Sequence, residues 1–174
     1  MQKPIKLLSS EAELYNCALK FLGLRARSRH DLERLLKKRC RQPDWVQAVL
    51  DKCVARGYLD DVKYAVQFAR SQAERKRHGR RRVVLELKSR GIAAQDIEFA
   101  VCEVFESLDE ALLVRQALES KLKKTAGEWT PRKTQRLYNQ LMRAGFPGDV
   151  VIRELRRCRI ETVREWGDTA TIED

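Results

Sequence analysis

The sequence predicts an all-α protein built as an elongated, curved array of three tandem three-helix repeats. Three observations carry this expectation. Apolar residues recur three or four positions apart, the spacing of one helical face, and not in the alternation of a strand. Only four prolines and eight glycines interrupt the 174 residues. Aligning the segments around Cys40, Gly91 and Gly145 exposes a repeat, with offsets of 51 and then 54 residues.

The first repeat is expected over residues 10–57. Ser10 with Glu13 is a capping box before "LYNCALKFLGL", and Ser28 with Asp31 is a close relative of one before the second helix. That helix places Leu32 and Leu36 eight and four residues ahead of the anchor, and the third places Val46 and Leu50 six and ten residues behind it. Gly57 reads as a helix stop, Tyr58 and Leu59 as packing residues, and Asp60 as the next cap, so "GYLDD" joins repeats.

The second repeat, 58–106, opens with "YAVQFARSQ" and continues with Val83 and Leu87 before Gly91 and Ile97 and Val101 after it. In the third, 107–160, Ser107 with Glu110 reads as a capping box before "ALLVRQALESKL", and Thr130-Pro131 puts a cap before a first-turn proline. Leu137 and Leu141 then precede Gly145, and Val151 and Leu155 follow it. A three-helix unit of this size leaves an apolar face for its neighbour to cover, which is why stacking is expected and why a monomer suffices. Residues 161–174 form an acidic tail with the composition of a disordered segment.

The chain carries a formal net charge of +11, concentrated within residues 70–90, where nine Lys or Arg face two Glu. Residues 91–130 and 161–174 are each net −4, so the charge is patterned and implies a binding face for a polyanion. Relative to the first repeat, the second has four extra residues between its first two helices, and they fall in "AERKRHG". Arg75, Lys76 and Arg77 are expected to extend beyond the packed layer, with Arg80, Arg81 and Arg82 in the next helix's first turn. Cations there oppose the helix dipole, a penalty that a bound anion would offset. Lys88 and Arg90 extend this set, and Arg25, Arg27 and Arg29 occupy the equivalent turn of the first repeat.

Several function classes find no support. No G-x-x-x-x-G-K-[ST] loop, nucleophile elbow or paired acidic site on a recognisable scaffold is present, and His30 and His78 have no ligand cluster around them, so neither enzymatic activity nor a cofactor or metal is expected. Cys17, Cys40, Cys53, Cys102 and Cys158 are scattered, without a C-x-x-C pair, and read as reduced thiols. With no signal-peptide core and no membrane span, a cytoplasmic protein is expected. Trp45 and Trp129, near helix starts, read as packing residues before stacking platforms for bases.

"RARSRHDLERLL", "GYLDDVKYA" and "LKSRGI", with "HGRRRVVLELKSRGI" and "LYNQLMRAGFPGDVV", resemble in order and spacing the signatures of the RecX recombination regulators, over about residues 14–155. The first anchor departs from the family pattern, being Cys40-Arg41 where a glycine and a hydrophobic residue are usual, and the tail "ETVREWGDTATIED" matches nothing in it. The resemblance implies a non-enzymatic modulator that binds RecA filaments on single-stranded DNA. It implies inhibition of RecA ATPase, strand exchange and coprotease activity, and so a role in recombination, DNA repair and the SOS response. On this reading the basic residues contact an acidic RecA surface or DNA phosphate, with weak, sequence-independent binding to DNA alone. The alternative is a direct DNA-binding protein that presents the 79–90 helix as in a helix-turn-helix. A purely structural scaffold would leave the local charge unexplained.

Overall fold

The computed structural model describes residues 7–122 and 130–157. Among these residues it has nine helices and no strand: α1 (Glu11–Leu24), α2 (Arg29–Lys37), α3 (Pro43–Ala55), α4 (Asp61–Lys76), α5 (Arg80–Lys88), α6 (Ala94–Phe105), α7 (Glu110–Leu122), α8 (Pro131–Arg143) and α9 (Gly148–Arg157). The fold is an all-α helical repeat. Trp129, Cys158 and the acidic tail lie outside the described residues.

Caps set the helix starts. Ser10 Oγ accepts from Glu13 N at 3.2 Å, while the Glu13 carboxylate accepts from Ser9 N at 3.0 Å. Ser28, Asp60 and Thr130 accept from the backbone three residues on, at 3.1, 2.9 and 3.4 Å. The third repeat differs from expectation: Ser107 donates to Val104 O at 3.0 Å and so closes α6, leaving Asp109, which accepts from Ala111 N at 2.9 Å, to open α7.

Helices α3, α5 and α8 end on Gly57, Gly91 and Gly145, with φ of 70°, 70° and 90°. In each case the next N–H donates back five residues, from Tyr58 to Cys53 O, Ile92 to Leu87 O and Phe146 to Leu141 O, the Schellman closure. The first anchor makes no such turn. Cys40 N donates to Leu36 O at 2.9 Å, and the Cys40 thiol is buried beside Gln42.

The chain divides into two compact units. One comprises the described part of Met1–Phe68 with Glu86–Ala100, and the other Ala69–Leu85 with the described part of Val101–Asp174. In the first, Leu14, Ala18, Leu32, Leu36, Val46, Val49, Leu50 and Cys53 form the core, with Tyr15, Phe21 and Trp45 packed against it. Lys52 pairs with Glu11, and the Arg56 guanidinium sits 5.3 Å from the Tyr15 ring while donating to its hydroxyl, so α3 is tied to α1. In the second, Val83, Val104, Leu118, Leu141, Phe146 and Leu155 are fully buried, and Arg115 answers the buried Glu154 carboxylate at 3.1 Å. Every position of the repeated apolar stripes, from Leu32 to Leu155, is buried.

Candidate partner-binding surface

Each unit holds one repeat junction, and the two are built alike. Ser28 Oγ donates to Arg90 O at 2.8 Å in the first unit, and Gly79 N donates to Ala144 O at 2.8 Å in the second. Ser28 and Gly79 are equivalent under the 51-residue offset, as are Arg90 and Ala144 under the 54-residue one. A hydroxyl in one repeat therefore does what a backbone N–H does in the next. The glycine after each acceptor is held close: a Cβ on Gly91 would lie 2.6 Å from His30 Cβ, and one on Gly145 would overlap the backbone of Arg82.

In the first unit, Arg25, Arg27, Asp31, Tyr64, Gln67, Phe68 and Arg90 line a cleft of about 240 Å³. Arg25 is exposed. Arg27 Nε donates to Phe21 O at 3.2 Å and its guanidinium lies 5.7 Å from the Phe21 ring; burial, then the charge of Arg25, pulls its pKa below the ordinary arginine value. Arg29 pairs with Asp51 at 2.9 Å, and its backbone N–H donates to Asp61 at 2.7 Å. Burial raises the Asp61 carboxyl against the lowering effect of that bond. Arg90 pairs with Asp31 at 3.2 Å and lies 4.5 Å over Phe68, which stacks with Tyr64. Thus Arg27, Arg29 and Arg90 already have partners within the fold, while Arg25 and Lys88 stand exposed.

In the second unit, Arg75, Lys76, Arg80, Arg81 and Arg82 are exposed. Arg77 does not extend beyond the packed layer as expected: it takes φ of 52°, is half-buried, and its Nε is buried without a hydrogen-bond acceptor. The first turn of α5 also needs no bound anion to satisfy it. Arg81 N donates to Gly145 O at 3.2 Å and Arg80 N to the Glu110 carboxylate at 3.4 Å, while the Arg80 guanidinium lies 5.7 Å from the Phe105 ring. A carbonyl and a carboxylate thus stand where the helix dipole favours negative charge.

Lys76, Arg77 and His78 share a second cleft, of about 230 Å³, with Ser120 and Lys121 of α7 and Gln140 of α8. Sequence reading missed these α7 and α8 residues, as it missed Tyr64 and Phe68. Lys121 lies in a net acidic stretch and Ser120 in an unremarked helix face, so only tertiary packing brings them to the basic turn. Among the described residues no group of His, Cys, Asp or Glu is arranged to hold a metal ion, and no helix is long and apolar enough to cross a membrane.

Models of the RecX first and second three-helix domains match residues 15–53 and 60–101. The chain is 35% identical over 105 residues to "Regulatory protein RecX" of Pelodictyon phaeoclathratiforme, covering 60% of this chain and 63% of that protein. It is 31% identical over 140 residues to the protein of the same name from Mycolicibacterium smegmatis, covering 78% of this chain and 74% of that one. The chain thus spans less than two thirds of the first of these relatives' length. The crystal structure of RecX from Lactobacillus salivarius superposes with a TM-score of 0.72 over 86% of this chain and 97% of that one, at 19% identity, a likeness of fold.

Proposed function

The chain belongs to the RecX family of regulatory proteins, and from that premise we propose that it is a non-enzymatic regulator that binds RecA filaments on single-stranded DNA. Binding lowers RecA ATPase, strand exchange and coprotease activity, and so modulates recombination and DNA repair. The protein acts as a cytoplasmic monomer, with sequence-independent DNA contact as a secondary interaction.

The observation that carries this reading is the exposed basic set Arg75, Lys76, Arg80, Arg81 and Arg82, carried on a helical repeat. Basic side chains that reach solvent in such a cluster suit an acidic protein surface or a phosphate backbone, through attraction that salt screens. The same geometry weakens the helix-turn-helix alternative. A recognition helix offers its N-terminal residues to base edges, whereas the first turn of α5 is occupied by Gly145 O and the Glu110 carboxylate.

The test is the single-strand-DNA-dependent ATPase of the cognate RecA, titrated with this protein at near-physiological salt and with DNA in excess. Inhibition at substoichiometric protein is expected. An unchanged ATPase in the presence of folded protein would remove the filament-regulator reading and leave a DNA-binding or scaffold role.

A further inference from the structure

We infer that the cleft between the end of α4 and helices α7 and α8 is a phosphate-binding site, with Arg77 as its central donor. The argument starts at the backbone. Among the described residues only four have positive φ, and Arg77 is the one that is not glycine. An L side chain in this region is disfavoured, and glycine would remove the strain. The sequence retains a side chain here, and the fold buries its Nε with no acceptor in reach. A buried, unpaired guanidinium donor is costly, and it marks a place where an acceptor is missing.

The surroundings say what that acceptor is. Lys76 and Lys121 join Arg77 along the cleft wall, Ser120 adds a hydroxyl and Gln140 an amide, and none of the described residues lining it is acidic. Three cationic groups with neutral donors beside them ask for an oxyanion with several acceptor oxygens, and a phosphate group presents these to a guanidinium in the geometry of paired hydrogen bonds. The volume, about 230 Å³, admits a phosphate and excludes a bulky ligand. Two sources share this chemistry, a nucleic-acid backbone and free phosphate. The inference rests on the reading above only in naming nucleic acid as one source, and its test contains no recombinase, so either can fail alone.

The experiment follows the Arg77 Nε–Hε resonance of the ¹⁵N-labelled full chain, assigned by its loss in Arg77→Lys. Sodium phosphate and a short oligothymidylate are titrated separately at an ionic strength fixed with chloride. A saturable shift with phosphate that the oligothymidylate competes away assigns the site to backbone phosphate. Saturation by phosphate alone assigns it to the free ion, and saturation by the oligothymidylate alone to nucleic acid. Arg77→Gly suits the backbone at this position, so its Tm should equal or exceed that of the parent while its affinity for whichever ligand binds falls roughly tenfold or more. A resonance that neither ligand moves, or that chloride moves equally, overturns the site. Undiminished affinity in Arg77→Gly also overturns it.

Discussion

At Gly91 and Gly145 a hydrogen atom is the largest side chain the packing admits, and for two separate reasons. Both have positive φ, but a Cβ at Gly91 would meet the His30 side chain, whereas one at Gly145 would meet the backbone of Arg82. Gly57 shares the conformation and has open space around it. Alanine should therefore cost in a fixed order: about 1 kcal/mol at Gly57 from conformation alone, about 2 at Gly91 where a side chain must shift, and about 3 or more at Gly145. Urea denaturation of the three variants measures this, and equal losses would mean that the junctions impose no steric constraint of their own. The three helix stops were legible because αL closure needs glycine whatever lies nearby. Their neighbours were not, since His30 and Arg82 are distant in sequence. For the same reason Arg90 read as a free cation although Asp31 and Phe68 hold it.

Helix α4 shows how much of an element one residue can set. Asp60 accepts from Lys63 N at the helix start, and this bond holds its carboxyl below the ordinary aspartate value, against a smaller raising effect of burial. A depressed folded pKa means stability that is present above the ordinary aspartate value and lost as pH falls through the folded one. Asp60→Ala should accordingly lower stability by about 1 kcal/mol at neutral pH, the usual worth of an N-cap, and the gap from the parent should close in acid. Denaturation midpoints across a pH series measure it; a gap that persists unchanged below the aspartate range would assign the loss to something other than the ionised cap. Caps and apolar stripes made most of the helices legible, because both are local. The start of α7 was misread because two capping patterns overlap between Ser107 and Glu110. Val104 O took the Ser107 hydroxyl, and Glu110 was drawn to Arg80 N, a partner that only tertiary structure supplies.

For the whole molecule, the charge pattern was legible as a local excess, but its division was not. Sequence treats the basic residues as one set, whereas the fold assigns Arg25, Arg27, Arg29, Lys88 and Arg90 to one compact unit and Arg75 to Arg82 to the other. It also separates cations by duty. Arg29 and Arg90 hold the first unit together through Asp51 and Asp31, while Arg75, Lys76 and Arg81 present exposed side chains. If the exposed set binds the filament, replacing Arg75, Lys76 and Arg81 with Glu should leave the helical circular-dichroism signal intact and weaken inhibition of RecA ATPase. Where those residues also touch single-stranded DNA, the salt dependence of binding should become shallower by about 0.7 in the logarithmic slope for each phosphate the variant no longer neutralises. Arg90→Ala should act differently, lowering stability first and inhibition only as the folded population falls. Full inhibition by the folded triple variant would move the binding surface away from the α4–α5 turn. Undiminished inhibition with a shallower DNA slope would divide the duties, with this turn holding nucleic acid and another surface engaging RecA.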